Sequence, residues 1–539
     1  MILTQEITVK VGGKMRKFNV TGTCTFEEDY MVDITNKLIE IKKLVDDKAY
    51  FIINRGRQYG KTTTLHQLEC FLADEYTVIS ISFEGIGQMI FGNESKFCHE
   101  FLQLIQDALE MSGEDQSEVS KWKNDAVDSF ASLSRHIMKI CQQSQNQYVL
   151  MIDEVDNASN HFVFVDFLSM LRKKFLARKN KKDFTFHSVI LAGVYDIRNI
   201  KLRMMQAGDH TPTQAETSQY NSPWNIATQF PVDMSFSVDE ICGMLESYEN
   251  DHATGMDIRQ IATEIHDYTS GYPVLVSGIC KYIDELLDKN WTDTGIRRAV
   301  KLILTEGSPL FDSLTKNLTA NQALSDLLYN MVIIGTKWSY SPDDEVIKLG
   351  VRYGYLDRVN GRTQIANKIF EICLTDYFTI QMRRKKIHQT PDLLINNEGI
   401  IENGQLNMET CMEKFAQYFH KHYSEKDAAF IEREGRLLFL MFISPVINGN
   451  GFSYIESQSA DGKQTDVIVT FKNKQFMIEL KIWHSQKRHE QAYDQLLSYM
   501  DRFRLTEGYL LTFNFNQNKQ PSHQWIQIDE EKKILDVTI

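Results

Sequence analysis

Two groups of residues in this sequence have the types and the spacing to act on phosphates. The first is the run Gly60-Lys61-Thr62, which follows an apolar segment from Tyr50 to Ile53 and precedes a helical pattern of apolar residues. At such a helix N-terminus, backbone N–H groups and the helix dipole favour a bound phosphate. Lys61 would neutralise the β- and γ-phosphates, and the Thr62 hydroxyl would hold Mg²⁺. The run therefore predicts ATP as a ligand, with Mg²⁺ beside it.

The loop before Lys61 departs from the usual phosphate-loop pattern at its first position. The pattern G-x-x-x-x-G-K-[ST] has glycine where this chain has Arg55. Gly56 stands one place later and is expected to supply the backbone freedom that the loop needs. An ordinary turn between a strand and a helix is the alternative. The predicted nucleotide-binding residues of the loop are Arg55, Gly56, Arg57, Gln58, Tyr59, Gly60, Lys61, Thr62 and Thr63.

An acidic pair follows another apolar strand, Tyr148 to Ile152. Asp153 would belong to the Mg²⁺ shell, and Glu154 would polarise the attacking water. A polar strand end near solvent is the alternative. A further strand is expected to end at residues 193–196, where NTPases of this type carry a residue that senses the γ-phosphate.

A parallel sheet is needed to bring these strand ends together. Strand and helix patterns alternate through residues 46–235, which predicts an α/β P-loop domain over 1–235, including an N-terminal leader. A helical lid is predicted for 236–310. In it, Pro273 begins a helix and is expected to lie against the nucleotide, with a plain helix start as the alternative.

Residues 311–385 are predicted to form a winged helix, because two helices precede a hairpin around Asn360-Gly361. A packing role is favoured over DNA binding, since the second helix has no excess of Arg and Lys. The most basic stretch of the chain, 171–182, is interpreted as a solvated helix end, with a contact to a phosphate backbone as the alternative.

The second chemical group lies in a domain predicted for 406–539, after a linker at 386–405. In the strand from Gln475 to Trp483, a period of two puts Glu479 and Lys481 on one face. Asp466 begins the paired strand. Two carboxylates and a lysine would bind Mg²⁺ and place a cation beside the attacking water. A surface hairpin with one Glu–Lys pair is the alternative.

The helices on either side of this hairpin add two candidate residues. Glu434, on the preceding helix, would complete the metal shell or hydrogen-bond to it. Gln495, on the following helix, would face the same site. The predicted catalytic residues are therefore Glu154, Asp466, Glu479, Lys481 and Gln495, and the predicted metal ligands are Thr62, Asp153, Glu434, Asp466 and Glu479.

Composition limits the partners. The chain has 539 residues, enough for several domains, and a formal net charge of -13, so any nucleic-acid surface must be a local basic patch. No apolar run approaches the roughly 18 residues of a membrane span. The 8 cysteines stand singly, which argues against a zinc site and predicts a reducing, cytoplasmic location.

The quoted strings together resemble bacterial AAA-like ATPases, related to the signal-transduction NTPases, that carry a C-terminal PD-(D/E)XK nuclease domain. In the N-terminal half the resemblance rests on Tyr30–Asp33, Arg55–Thr63, Leu150–Glu154, Leu191–Arg198 and Ser222–Ile226. In the C-terminal part it rests on Phe430–Arg436, Asp466 and Ile478–Trp483. In this chain Thr465-Asp466 stands where the nuclease motif has Pro-Asp. Arg55 in place of the first glycine is usual for this kind of loop.

The resemblance implies a P-loop core with a helical lid and winged helix, followed by an α/β domain of restriction-endonuclease type. It implies an ATP- and Mg²⁺-dependent nuclease acting on DNA, in which ATP hydrolysis regulates cleavage, and a role in defence against foreign DNA. Two alternatives stay open: an ATP-driven switch whose C-terminal domain binds nucleic acid or a protein without cutting, and a scaffold. The choice between DNA and RNA and the formation of a homo-oligomer are also open.

Overall fold

The computed structural model describes residues 16–159, 161–194, 224–386, 399–422, 432–447, 450–455, 466–472, 474–516 and 521–539. The chain forms two compact units. The first consists of Met1–Ala262, Gly271–Gly278 and Arg352–Gly354, and the second of Thr263–Ser270, Ile279–Val351 and Tyr355–Ile539.

The first unit is built on a parallel four-stranded sheet in the order β1-β4-β3-β2. Its strands are β1 Tyr50–Asn54, β2 Thr77–Ser82, β3 Tyr148–Asp153 and β4 Ser188–Gly193. Every residue of β3 and β4 is buried, as expected for strands covered on both faces. The predicted α/β fold with a parallel sheet is thus confirmed, and β1 and β3 end at the same edge of the sheet.

The helices of this unit are α1 Thr35–Asp46, α2 Lys61–Leu72, α3 Gln88–Phe91, α4 Glu94–Met111, α5 Gln116–Lys121, α6 Phe130–Gln143, α7 Phe162–Lys179 and α8 Val238–His252. Of these, α2 and α4 pack directly on the strands. The core beneath them is rich in aromatic residues, with Phe97, Phe101 and Phe167 in mutual ring contact. Two further helices, α9 Ile258–Thr269 and α10 Pro273–Leu286, each have residues in both units.

The leader is held by an aromatic cluster. The rings of Phe18, Tyr30 and Tyr248 lie about 5 Å apart, and the Tyr30 hydroxyl donates to Asp251. In the described part of the leader, Lys17 forms a single β-bridge, to Asp29.

Two cations of the basic stretch at 171–182 bind groups of the folded domain. Lys174 is buried and bridges to Asp183 at 3.0 Å. Arg178 donates to the carbonyl oxygens of Phe186 and His187. The interpretation as a solvated helix end is therefore wrong for these two cations, which secure α7 instead of facing water or a phosphate.

The second unit begins with helices and a small three-stranded sheet. Its helices are α11 Asp293–Thr305, α12 Pro309–Ala320, α13 Gln322–Tyr329, α14 Glu345–Arg352 and α15 Lys368–Lys386, of which α14 ends in the first unit. The strands β5 Trp338–Ser339, β6 Leu356–Val359 and β7 Arg362–Ile365 pair in the order β5-β7-β6. Asn360 and Gly361 both have positive φ, which gives the hairpin its predicted tight turn.

The C-terminal part of this unit is a six-stranded mixed sheet in the order β10-β11-β12-β13-β15-β14. A short hairpin, β8 Ile401–Glu402 and β9 Gln405–Leu406, precedes it. The strands are β10 Gly451–Ile455, β11 Asp466–Phe471, β12 Lys474–Ile482, β13 Glu507–Phe513, β14 Ser522–Gln527 and β15 Lys533–Thr538. Only β12–β13 and β13–β15 are parallel pairs.

Three helices, α16 Met408–His422, α17 Glu432–Ile447 and α18 Gln486–Phe503, accompany this sheet. Helix α17 packs on β10, β11 and β12, and α18 packs on β12 and β13, while α15 lies against α17 and β10. Within the described ranges, no helix has the length and apolar character needed to cross a bilayer.

Gly271 marks a close approach that places Pro273. It has φ +72, and a Cβ there would collide with the backbone of Phe236, whose N–H donates to the Gly271 carbonyl oxygen. We expect Gly271→Ala to lower the midpoint of thermal unfolding more than Gly255→Ala. Gly255 has φ +77 but open space around it, so it reports the backbone strain alone, about 1–2 kcal/mol.

The collision should cost about 1–3 kcal/mol beyond that strain. The two variants are compared by circular dichroism melting in one buffer. Equal shifts in the two melting midpoints would contradict the close approach.

Candidate functional site

The loop between β1 and α2 turns sharply before the helix. Gln58 and Gly60 both adopt the left-handed conformation, with φ 56 and φ 74, and Gly60 is the N-cap of α2. A left-handed backbone costs roughly 1–2 kcal/mol for a residue with a side chain, so Gln58 is strained. The turn leaves the N-terminal N–H groups of α2 without intrahelical partners, as a phosphate site requires.

The role of Gly56 differs from the expected one. Its φ lies outside the left-handed region that Gln58 and Gly60 occupy. A Cβ at Gly56 would come within 2.8 Å of the Tyr353 carbonyl oxygen and 3.3 Å of the Tyr272 hydroxyl. The expectation that Gly56 supplies backbone freedom is therefore wrong. Its lack of a side chain instead leaves space for the Tyr353 carbonyl oxygen and the Tyr272 hydroxyl.

Lys61 is buried, with 7% of its surface exposed. Its Nζ donates to the carbonyl oxygens of Arg55 at 3.2 Å and Gly56 at 3.0 Å. Burial lowers the pKa of this ammonium, and the charges of Glu154 and Asp156 oppose that effect. The ammonium is thus held by carbonyl oxygens of its own loop.

A short hydrogen bond joins α2 to β3. The Thr62 hydroxyl donates to Asp153 Oδ2 at 2.6 Å, and the other oxygen of Asp153 accepts from the Glu154 backbone N–H at 2.8 Å. The structure therefore brings together the hydroxyl and the carboxylate that the sequence assigned to one Mg²⁺ shell.

Glu154 follows Asp153 in a left-handed conformation, φ 51, and is half-buried. Burial raises the pKa of its carboxyl group, and the neighbouring charge of Asp153 raises it further. Asp156, two residues after Glu154, accepts a hydrogen bond from the backbone N–H of Val194, the residue after the end of β4. Residues 195–198, which include the predicted sensor positions, lie outside the described residues.

The side chain of Arg55 braces the loop. Its guanidinium donates to the carbonyl oxygens of Asn54 and Val232, each at 2.9 Å, and lies over the Phe230 ring. Arg57 is exposed, and its own carbonyl oxygen accepts from the Tyr272 hydroxyl at 2.6 Å. Of the two arginines in the loop, Arg57 is exposed and Arg55 is half-buried.

A cavity of about 340 Å³ adjoins the loop. Its walls come from the leader, from α2, from residues 232–236 and from the start of α10. The predicted loop residues Gln58, Tyr59, Gly60 and Thr63 line it, as does Pro273. A volume of this size falls in the range of ligand pockets, roughly 300–1,000 Å³.

The sequence did not identify the apolar lining of this cavity. Val20, Met31, Val32, Met234 and Met244 contribute to it from three separate segments. Met31 and Val32 belong to the string Tyr30–Asp33 quoted for the resemblance, but no motif assigned any of the five residues to a cavity, and only the fold brings them together. Pro273 lies beside the loop, since its Cβ is 4.0 Å from where a Gly60 Cβ would be, and its contact with a nucleotide stays a prediction.

In the second unit, Glu479 and Lys481 meet on β12. Glu479 is fully buried, and its Oε1 lies 2.5 Å from Lys481 Nζ. In the antiparallel register Asp466 is directly opposite Glu479, which places the two positions on one face of the sheet. At Asp466 the structure describes only the backbone.

Lys481 and Gln495 line one cavity of about 260 Å³, together with Gln491. The first turns of α17, which carry Glu434, lie near the end of β13, because a Cβ at Gly435 would collide with the ring of Phe513. Phe513 pairs with Ile482, the residue after Lys481. All the predicted residues of this site thus belong to elements that meet around the end of β12.

A polar cluster next to this cavity was missed. His489 lines the cavity and its Nε2 lies 2.8 Å from Asp536 Oδ2, which also accepts from the Tyr493 hydroxyl. His489 and Tyr493 are one helical turn apart on α18, a spacing that was available in the sequence. Asp536 comes from β15, and no local pattern connects it to them.

The Thr62–Asp153 hydrogen bond gives a test without nucleotide. Thr62→Val keeps the side-chain shape but removes the hydroxyl, so Asp153, which is 7% exposed, loses a donor. We expect a loss of about 1–3 kcal/mol in the free energy of unfolding. Thr62→Ser keeps the hydroxyl and should lie close to wild type. Wild-type melting of the valine variant would contradict the assigned bond.

Similar solved structures share little sequence with this chain. A Walker-type ATPase of Pyrococcus abyssi is 11% identical, with a TM-score of 0.46, covering 66% of this chain and 99% of its own. The ORC2 protein of Aeropyrum pernix in its ADP form is 12% identical, with a TM-score of 0.33, covering 65% and 93%. The Aeropyrum pernix ORC1 protein in complex with DNA is 10% identical, with a TM-score of 0.28, covering 87% and 94%.

No curated protein matches the chain. The AAA-like domain family, in contrast, matches residues 33–328, which is more than half of the 539 residues. That range contains the phosphate loop, the acidic pair after β3 and the start of α10. The chain therefore belongs to the AAA-like domain family.

Proposed function

We propose that this protein is an ATP- and Mg²⁺-dependent nuclease in which ATP hydrolysis by the AAA-like domain regulates phosphodiester cleavage of DNA, in defence against foreign DNA. The observation that carries the nuclease part is the ion pair between Lys481 and the buried Glu479, which lies directly opposite Asp466 in the sheet register. The choice of DNA and of defence rests on the family resemblance. In this proposal 236–310 is a lid, 311–385 a winged helix, 386–405 a linker and 406–539 the nuclease domain.

The ATP part is supported by the loop geometry. The adenosine of ATP would occupy the cavity beside Pro273, and its phosphates would lie on the N-terminus of α2. Lys61 would exchange its contacts with the loop carbonyls for contacts with the β- and γ-phosphates. Glu154 would orient the attacking water and accept its proton.

The residues at both sites fit Mg²⁺. The Thr62 hydroxyl and the Asp153 carboxylate are hard oxygen donors already 2.6 Å apart. In the second unit the carboxylates of Asp466 and Glu479, with Glu434 nearby on α17, would hold the ion. When bound, the ion would supply positive charge to the phosphate oxygens. Lys481 would hold the attacking water by hydrogen bonding, and Gln495 would orient the substrate.

One observation favours the alternative of a switch that binds nucleic acid without cutting. The carboxylate of Glu479 already contacts the ammonium of Lys481, so a metal ion would have to compete with this ion pair. Mutation of Asp466 distinguishes the two functions.

ATP hydrolysis should depend on Lys61 and Glu154. Lys61→Ala should abolish binding of a fluorescent ATP analogue, because the phosphates lose their cation. Glu154→Gln should keep binding and lower phosphate release by about 10²–10⁴-fold, because an amide cannot accept the proton. Lys123→Ala, an exposed lysine on the same domain, is the control. Wild-type phosphate release in both site variants would refute the ATPase assignment.

DNA cleavage should depend on Asp466, Glu479 and Lys481. In a plasmid-nicking assay with Mg²⁺, Asp466→Ala and Glu479→Gln should lose several orders of magnitude in rate, because each removes a metal ligand. Glu490→Gln, at an exposed acid on α18, is the matched control and should cut normally. Nicking by the double variant at the wild-type rate would exclude this site.

Regulation is tested with the same assay. Wild type and Lys61→Ala are compared at saturating ATP and without ATP. A coupling of about 1–3 kcal/mol would change the cleavage rate of wild type roughly 5- to 150-fold and leave Lys61→Ala unresponsive. Equal rates in all four conditions would mean that the two activities are independent. Binding of DNA with no cleavage in any condition would favour the switch.

A further inference from the structure

A second cavity in the second unit, of about 270 Å³, is lined by cations from two elements. Arg297, Arg298 and Lys301 come from α11, and Lys472 follows the end of β11. The start of β10, at Gly451, also lines the cavity. We call this cavity the basic cleft.

The positive charge of the basic cleft is largely uncompensated. In the part of the chain that the structure describes, Arg298, Lys301 and Lys472 form no ion pair. Burial lowers the pKa of Lys301, and the charges of Arg298 and Lys472 lower it further, so these cations repel one another. Such an arrangement is unfavourable unless an anion joins it.

The acids near the cleft are engaged elsewhere. The side chain of Glu264 is hydrogen-bonded to that of Asp293. Burial, and after it this hydrogen bond, raises the pKa of Glu264 to about 8. Arg297 lowers the pKa of Glu264, so this one cation is partly compensated. Glu402, on the hairpin next to Lys472, accepts from the side chain of Asn407. The uncompensated charge of the basic cleft therefore comes from Arg298, Lys301 and Lys472.

The neutral lining suits a phosphate. Gln405, Asn450 and Thr470 contribute amide and hydroxyl groups to the cleft, and phosphate oxygens accept hydrogen bonds from such groups as well as from Arg and Lys. Arg298 and Lys472 are both exposed. Exposure of the outer cations favours a long polyanion that arrives from solvent over a small enclosed ligand.

We propose that the basic cleft binds the phosphodiester backbone of duplex DNA. Strand β11 runs from Asp466 to Phe471, so the candidate catalytic position and Lys472 lie at opposite ends of one strand, about 20 Å apart. A duplex carries one charge per roughly 1.7 Å of its axis and spans that distance in about six base pairs. One duplex can therefore contact both ends of β11. This inference rests on the nuclease function proposed above and assigns its substrate a second contact.

The test is DNA binding by the full chain with Mg²⁺ removed by EDTA, so that no cleavage occurs. A fluorescent duplex of about three helical turns is titrated at salt concentrations from about 50 to 200 mM, and its anisotropy is measured. The triple variant Arg298→Ala, Lys301→Ala and Lys472→Ala should bind roughly tenfold or more weakly. Its slope of log affinity against log salt should be less steep by about 2–3, since each phosphate contact contributes about 0.9.

Two matched variants separate the cleft from general charge and from folding. Lys96→Ala, Lys139→Ala and Lys316→Ala remove the same charge from exposed lysines outside the cleft and should keep the wild-type slope. The charge-conserving variant Arg298→Lys, Lys301→Arg and Lys472→Arg should also keep it. If the triple alanine variant does not fold, Lys472→Ala alone should lower the slope by about 1.

The outcomes are distinct from those for the nuclease itself. Wild-type affinity and slope in the cleft variants would overturn this inference while leaving cleavage, tested with Glu479→Gln, as it stands. Cleft-dependent binding without cleavage would support the inference and refute the nuclease. A wild-type protein that binds duplex RNA or inorganic phosphate through these residues but not DNA would overturn it.

Discussion

The hydrogen bond from Thr62 to Asp153 is the contact on which the candidate nucleotide site depends. Strands β1 and β3 are not neighbours, because β4 lies between them. The first turn of α2 must therefore reach across the end of β4, over about two strand spacings, or roughly 10 Å. It does so where β4 ends in Gly193, at which a Cβ would lie 2.9 Å from Val155. A larger residue there would displace the turn after β3, and with it the carboxylate that Thr62 meets.

The two candidate sites differ in how the charge of their lysine is compensated. Each brings a lysine close to carboxylates, and the buried members, Lys61 at one site and Glu479 at the other, would be costly as unpaired charges. At the phosphate loop Lys61 donates to carbonyl oxygens, and the nearby acids affect only its pKa. Its ammonium can therefore move to a phosphate without leaving a carboxylate unpaired. On β12 the ammonium of Lys481 contacts Glu479 directly. A bound cation would compete with that ion pair, which makes the second site more sensitive to which ion or substrate is present.

The distribution of positive charge also has two patterns. The richest basic stretch in the sequence is partly consumed in holding α7, through Lys174 and Arg178. In contrast, the cations of the basic cleft are separated along the chain and meet only in the folded second unit. In a chain of formal net charge -13, such a local concentration is where a polyanion would bind. Density of basic residues along a sequence is thus a poor guide to where positive charge is available.

The sequence alone determined what depends on neighbours in the chain. The strand, loop and helix around Lys61, the acidic pair after β3, the turn at Asn360-Gly361 and the shared face of Glu479 and Lys481 all follow from local periodicity and turn chemistry. Only the tertiary structure decided the rest. It assigned Gly56 to a close approach by Tyr353, Arg55 to the carbonyl oxygen of Val232, and the apolar cavity wall to residues far apart in the chain. The physical reason is that excluded volume, burial and buried hydrogen bonds involve whichever residues the fold brings together, and no spacing in the sequence encodes those distances.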